Sequence, residues 1–140
     1  MREVYKVIVT ENNKRFSATC VLGLPNELVI WYPAKMWIRS RIGRIFCFDT
    51  LHHALDYSRM VISASGGNAE IWLCKAKGVK KLTRALELYD ITHTPYFMRL
   101  VNEFWASKDI VPFATEGVPK GTLAARAIKL EKRVYPTEQN

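Results

Sequence analysis

His52 and Asp56 are the residues of this 140-residue chain whose spacing best suits acid–base chemistry. Both fall in a segment with helical periodicity, and residues four apart are neighbours on a helix surface. A histidine oriented by a carboxylate is the usual arrangement for general acid–base catalysis. Arg59 continues the same polar stripe and His53 lies beside it. No nucleophile accompanies them, so we interpret the stripe as decoration of a helix surface and predict no catalytic residue.

Two basic stretches of the sequence could instead bind a phosphate-bearing or acidic partner. The first is interleaved with aromatic residues, and no acidic residue lies between Glu27 and Asp49. Lysine and arginine neutralise phosphates, and aromatic rings stack on bases. If the two stretches meet on one face, they form a surface large enough for a nucleic-acid backbone. The predicted binding residues are Lys35, Trp37, Arg39, Arg41, Arg44, Lys75, Lys77, Lys80, Lys81 and Arg84.

The alternative to a binding role is that these stretches form a solvated surface rim with its aromatic rings in the core. The formal net charge of +8 favours an acidic partner, although it could also serve solubility alone. No RRM signature, KH loop, zinc finger or helix-turn-helix is recognisable in the sequence. No apolar run approaches the length of a membrane span and no signal-peptide pattern is present, so we expect a cytoplasmic protein without a membrane partner.

The three cysteines, Cys20, Cys47 and Cys74, predict no disulfide framework and no metal site. Each lies in an apolar run, where a free cysteine behaves as a small hydrophobic residue. C-x-x-C spacing and a histidine pair at zinc spacing are both missing from the sequence. We therefore expect buried, reduced thiols, and we predict no metal and no cofactor.

The most regular part of the chain must position the polar stripe and part of the basic stretches. Its pattern predicts a strand at 44–48, a helix at 51–62 and a strand at 70–76. Asp49 or Thr50 can cap the helix by accepting a hydrogen bond from its first free amides. The glycine-bearing turn that follows the helix precedes a strand, the wrong order for a phosphate-binding loop, so we interpret it as a connector.

The central block has a further pattern at 43–76, formed by Gly43, Ile45, Phe46, Phe48, Ala54, Tyr57 and the strand Glu70-Ile71-Trp72-Leu73. In this pattern the block resembles small ADP-ribosyltransferase-like domains. The resemblance implies NAD binding in a split-sheet cleft. It gives an alternative function, a transferase-like enzyme or NAD-binding relic, with a cleft lined by Tyr5, Phe48, His52 and Tyr57.

The catalytic motifs of that family are not matched. Tyr5-Lys6-Val7 stands where the family has an arginine or histidine followed by a small residue. No Glu-x-Glu pair occurs, which leaves Glu116 or Glu131 as the substitutes for a catalytic acid. Whether the protein is an enzyme stays open at this point, with a non-catalytic role favoured.

The rest of the chain predicts further strands and a second helix. Strands are predicted at 4–10, 15–22 and 28–32, a helix at 94–105 and a loop at 109–121. Two segments, 79–89 and 122–134, fit both the helical and the strand periodicity. For 79–89 the choice between helix and strand stays open, whereas the β-branched start of 122–134 favours a strand.

Together these patterns predict a single α+β domain at 1–135 with a frayed tail at 136–140. The fold would be a mostly antiparallel sheet of five to six strands with two main helices packed on it. The predicted function is that of a basic accessory protein, a non-catalytic interaction module that binds nucleic acid or an acidic partner. Strand order and oligomeric state stay open.

Overall fold

The computed structural model describes residues 1–11, 14–17, 32–39, 44–65, 68–82, 85–86, 114–115 and 119–136. Within them lie ten strands and one helix. In chain order they are β1 (Arg2–Glu11), β2 (Lys14–Ser17), β3 (Trp37–Arg39), β4 (Ile45–Phe48), α1 (Leu51–Ser65), β5 (Asn68–Lys77), β6 (Lys80–Lys81), β7 (Ala85–Leu86), β8 (Ala114–Thr115), β9 (Thr122–Ala125) and β10 (Ala127–Tyr135).

Eight of these strands form one antiparallel sheet, in the order β3–β10–β5–β1–β4–β9–β6, with β2 paired to β1. The strands β7 and β8 pair separately. Because a single residue, Arg126, separates β9 from β10, the two ends of the path β10–β5–β1–β4–β9 are joined by the chain itself. The sheet therefore bends round and closes on itself.

Two long segments run side by side through this closed sheet. Lys77 pairs with Ala127 and Lys80 pairs with Ala124, so one register links β5–β6 to β9–β10. The chain bends at Gly78 in the first segment and at Arg126 in the second, and these two residues lie in the same row of the register. The pair of segments thus bends as a unit.

The inside of the closed sheet is the larger hydrophobic core. Successive residues of a strand point to opposite faces, so Val4 and Ile8 of β1 point inward together with residues of the other strands. The core consists of Val4, Ile8, Tyr32, Ile45, Cys47, Trp72, Cys74, Ala76, Leu123, Ala125, Ile128 and Leu130. Each fully buried large side chain contributes about 1.5–3 kcal/mol.

The helix α1 covers part of the outer face. Ala54, fully buried, packs with Val7, Val9, Phe48 and Ile71 of the sheet, and Leu51, Leu55 and Tyr57 surround this second cluster. The helix begins at a capping residue, since the backbone N–H of His53 donates to Thr50 Oγ1 at 3.2 Å. The periodicity of 51–62 thus arises from a helix lying on a sheet.

The predicted fold of five to six strands with two main helices is wrong. The main sheet contains eight strands, and α1 is the one helix in the part of the chain that the structure describes. The extra strands include β3 and β6, which are short and lie within the basic stretches, where polar residues hide the strand pattern. The predicted second helix at 94–105 lies outside the described residues.

Several individual elements are confirmed. The strands at 4–10, 44–48 and 70–76 and the helix at 51–62 correspond to β1, β4, β5 and α1. The strand interpretation of 122–134 is also confirmed, by β9 and β10.

Other predicted elements fall partly or wholly outside the described residues. The hairpin strand at 15–22 is described to Ser17. Of 28–32 only Tyr32 is described, and it is not in a strand. The segment 79–89 contributes β6 and β7, and β8 interrupts the predicted loop at 109–121. The tail beyond Pro136 is not among the described residues.

Candidate functional site

The outer face of β3, β10 and β5 carries two adjacent rows of mostly basic residues. In one row Trp37, Lys129 and Lys75 lie side by side on neighbouring strands. In the next row Arg39 and Lys77 flank Ala127. Neighbouring strands are about 4.8 Å apart, so each row places its side chains within reach of one another.

The basic rows continue through the bend toward β6. On the two sides of the β9–β10 segment, Ala127 pairs with Lys77 and Ala125 pairs with Ile45. By the same registers, Arg126 lies between Gly78 and Arg44. Beyond the bend, Lys80 lies on β6. We call this surface the basic band. Its members are Trp37, Arg39, Arg44, Lys75, Lys77, Lys80, Arg126 and Lys129.

A cation–π contact joins the two basic stretches of the sequence. Lys77 Nζ lies 4.2 Å from the centroid of the Trp37 ring, and Lys129 Nζ lies 5.4 Å from it. Ala127, between Arg39 and Lys77, is only 1% exposed, so larger side chains close over it. Ammonium groups at these distances from an aromatic ring are attracted to it electrostatically.

Gly78 determines how the guanidinium groups are arranged at the bend. Its φ of 61° lies in the left-handed region, which favours glycine. A Cβ at this position would lie 2.6 Å from Cδ and 2.7 Å from Cγ of Arg126. On the same residue, the carbonyl oxygen accepts a hydrogen bond from Arg44 Nη1. Two arginine side chains therefore converge on the backbone of Gly78.

Two carboxylates adjoin the band among the described residues: Glu131, and Glu3, which pairs with Lys75 in the register of β1 and β5. Glu131 forms ion pairs with Lys35 at 3.1 Å and with Lys129 at 3.3 Å. The hydrogen bond from Lys35 lowers the pKa of Glu131 below its ordinary value. Among the described residues, no carboxylate forms an ion pair with the other lysines and arginines of the band. Within the described residues, the cations of the band therefore outnumber the carboxylates that adjoin them.

The structure brings together most of the predicted binding residues. Trp37, Arg39, Arg44, Lys75, Lys77 and Lys80 all lie in the band. Lys35 lies at its margin, held by Glu131, and Lys81 lies next to Lys80 on exposed β6. Arg41 and Arg84 lie outside the described residues.

The sequence analysis missed Arg126 and Lys129. Both lie in the segment 122–134, where Ile128 and Leu130 alternate with polar residues. In a strand this alternation places Lys129 on the outer face. The signal was present, but only the pairing with β3 and β5 shows that this face adjoins the predicted residues.

The residues of the alternative cleft are divided between two environments. Tyr5 pairs with Phe48, and the Phe48 and Tyr57 rings lie 5.1 Å apart beneath α1. Burial raises the pKa of Tyr57. His52, by contrast, lies on the opposite side of the helix with a side chain 78% exposed. The three rings thus pack against the second core cluster, and the histidine does not join them.

One histidine–carboxylate pair lies on α1 and a second joins α1 to the residue two positions before it. The predicted pair has His52 Nε2 3.6 Å from Asp56 Oδ2, and Arg59 contacts the same carboxylate at 3.6 Å. The pair that was not predicted is tighter, with His53 Nδ1 2.6 Å from Asp49 Oδ1. Desolvation would raise the pKa of Asp49, but the hydrogen bonds from His53 and Thr50 lower it overall.

The Asp49–His53 pair is packed against Gly121. A Cβ on Gly121 would collide with both side chains, and the N–H of Asp49 donates to the Gly121 carbonyl at 3.0 Å. These contacts fix the first turn of α1 to the start of β9. The pair has the same four-residue spacing that singled out His52 and Asp56, so spacing alone could have revealed it.

Lys6 is a charged residue inside the closed sheet. Its Nζ donates to the Phe46 carbonyl at 2.7 Å and lies 5.5 Å from the centroid of the Tyr32 ring. Burial lowers the pKa of Lys6 from 10.5 to about 8. The hydroxyl of Tyr32 is buried, and no described residue hydrogen-bonds to it.

The neighbouring thiols are not reactive groups. Cys47 and Cys74 are free and fully buried. Burial raises the pKa of Cys47 to about 11 and raises that of Cys74 further. Since the thiolate is the nucleophile, both cysteines are inert near neutral pH. Within the described ranges, no group of three His, Cys, Asp or Glu residues could hold a metal ion.

No family model, curated protein or solved structure matches the chain. In the part of the chain that the structure describes, no helix is long and apolar enough to cross a membrane.

Proposed function

We propose that this protein is a non-catalytic module that binds nucleic acid through the basic band. One observation carries the proposal: the two basic stretches, separate in the sequence, meet at the contact of Lys77 with the Trp37 ring. With Arg126 and Lys129 added, seven cations lie on one continuous surface. Six of them, all but Lys129, form no ion pair with a carboxylate of the described residues, and their charge is complementary to a phosphate backbone.

The dimensions of the band suit several successive phosphates. The row of Lys129 and the row of Ala124 are five residues apart along the β9–β10 segment. At the rise of a strand, this corresponds to about 17 Å of chain. Cations lie on both sides of this line. A ligand that follows it can contact about four phosphates, and each contact releases counterions on binding.

The proposal places the protein in the cytoplasm, where nucleic acid is accessible. The free thiols of Cys47 and Cys74 fit a reducing compartment. An acidic protein is the other partner that such a surface could take, and the test below separates the two.

The test compares two double variants that remove the same charge from different places. K75A/K77A takes two lysines from the band, whereas R59A/K120A takes two exposed cations from α1 and from the loop before β9. Fluorescence anisotropy with a labelled 30-nucleotide strand and a 30-base-pair duplex is recorded at 50 and 200 mM salt, with polyglutamate as the acidic-protein probe.

We expect wild-type affinity for nucleic acid to fall roughly 50- to 150-fold between these salt concentrations, for about four phosphate contacts. K75A/K77A should weaken binding and reduce the slope of log K against log salt by about 1.5, while R59A/K120A should behave as wild type. Absence of binding at low salt would contradict the proposal. So would equal losses in the two variants, or equally tight binding of polyglutamate.

A further inference from the structure

We infer that the ligand of the basic band is a single strand of nucleic acid, with one base stacked on Trp37. This inference rests on the proposed function and makes it specific. It follows from three features of the band: its bend, its setting in the sheet and the tryptophan at one end.

The bend excludes a stiff ligand from contact with the whole band. Both segments that carry the band bend in the row of Gly78 and Arg126. Lys75 and Lys129 lie on one side of this row and Lys80 on the other. A duplex has a persistence length of about 150 base pairs and stays straight over such a distance. A single strand can turn at each nucleotide and follow the bend.

The strands that flank the band prevent it from inserting into a groove of a duplex. A major groove admits a helix or a free two-stranded ribbon. The segments β5 and β10 are flanked by β1 and β3, so they do not form a free ribbon. The helix α1 lies on another part of the outer face, and its exposed residues His52, Asp56 and Arg59 pair with one another. A duplex would thus meet this surface only along its backbone.

The position of Trp37 provides a stacking platform. Its ring is half-buried at the end of the band, and Lys77 Nζ covers it at 4.2 Å in the free protein. The ammonium group of a flexible lysine can move from the ring to a phosphate, and a base can then take its place on the ring. Stacking of a base on an aromatic side chain accounts for roughly tenfold or more in affinity.

The first experiment compares a 20-nucleotide oligothymidylate, a hairpin duplex with the same number of phosphates and an abasic strand of 20 phosphates, all with wild-type protein. We expect the oligothymidylate to bind at least tenfold more tightly than either of the others, because only it is both flexible and able to stack. This measurement does not depend on the folding of any variant.

The second experiment replaces the ring. W37L should lose roughly tenfold in affinity for oligothymidylate and keep the wild-type salt slope, because the phosphate contacts remain. W37F should lose less. The matched control is Y135L, which removes an exposed ring at the far end of β10 and should bind as wild type. Circular dichroism checks that each variant is folded.

The outcomes separate the inference from the proposed function. Equal affinity for duplex and single strand, or for abasic strand and oligothymidylate, overturns the inference while binding of nucleic acid stands. A folded W37L that binds oligothymidylate as tightly as wild type also overturns it. Failure of all nucleic acids to bind removes both.

Discussion

At the scale of single residues, Lys6 is a charged group whose surroundings oppose its charge. It lies inside the closed sheet with a side chain only 7% exposed, and the Phe46 carbonyl is its hydrogen-bond acceptor among the described residues. The fall of its pKa from 10.5 to about 8 corresponds to about 3 kcal/mol spent in keeping the amine charged at pH 7.

Lys6→Met should therefore stabilise the protein. Methionine has a similar length, fills the same space and carries no charge, so we expect the free energy of unfolding at pH 7 to rise by about 1–3 kcal/mol. Urea unfolding followed by tryptophan fluorescence measures it. A loss of stability would show that the contacts with the Phe46 carbonyl and the Tyr32 ring outweigh desolvation.

The difference in unfolding free energy between wild type and Lys6→Met should depend on pH. The pKa of Lys6 is lower in the folded protein, so the unfolded chain binds more protons between about pH 8 and 10.5. Wild type thus gains stability relative to Lys6→Met as pH rises, and the advantage of the variant should shrink by about 1 kcal/mol from pH 7 to pH 9. Both proteins contain Cys47 and Cys74, so the contributions of these thiols to the pH dependence of stability cancel in the difference between wild type and variant. A constant difference would contradict the assignment to Lys6.

At the scale of elements, the turn between β5 and β6 links stability to binding. Gly78→Ala should destabilise the protein by about 1–3 kcal/mol, because alanine disfavours the left-handed backbone and its Cβ displaces Arg126. Displacing Arg126 also breaks the band, so affinity for nucleic acid should fall several-fold.

Gly78→Asn separates these two effects. Asparagine tolerates the left-handed region, so it should cost less stability than alanine. Its Cβ still displaces Arg126, so it should lose as much affinity as alanine does. Thermal unfolding and anisotropy measure the two quantities. Wild-type affinity in both variants would show that the position of Arg126 is not important for binding.

Local patterns in the sequence predict the elements whose burial is regular. Alternation along β1 and the apolar stripe of α1 each reflect packing against one core face, so they could be predicted. The strands β3 and β6 could not, because three and two residues are too few to show an alternating pattern, and they are recognised as strands only through their partners β10 and β9. Pairing between 37–39 and 127–129 is a non-local property that no local window contains.

The candidate site was predictable to the same extent. Two charged stretches identified most of the band, because unbalanced charge is visible in the sequence. The bend at Gly78 and the inclusion of Arg126 depend on the register between distant segments, and the packing of Gly121 against the Asp49–His53 pair depends on a contact between residues far apart in the sequence. These features could be found only in the folded chain.

At the scale of the whole molecule, Glu131 moderates the field of the basic band. Its ion pairs hold Lys35 and Lys129 away from a ligand. E131Q should raise affinity for oligothymidylate by a few-fold. It should also steepen the slope of log K against log salt by about 0.7, the contribution of one further phosphate contact.

The control for E131Q is D56N, which raises the net charge equally at the exposed side of α1. It should leave affinity unchanged, because Asp56 forms its ion pairs with His52 and Arg59, neither of which belongs to the band. Equal gains in the two variants would mean that net charge, and not the band, attracts the ligand.

The closure of the sheet through Arg126 also determines when the basic band is assembled during synthesis. The cations of β3 and β5 are synthesised well before β9 and β10, and β10 is the strand that pairs with both of them. A growing chain therefore carries the two basic stretches unlinked until β10 has been made. Under the proposed function, a nascent chain would bind nucleic acid through the whole band only after that strand has paired.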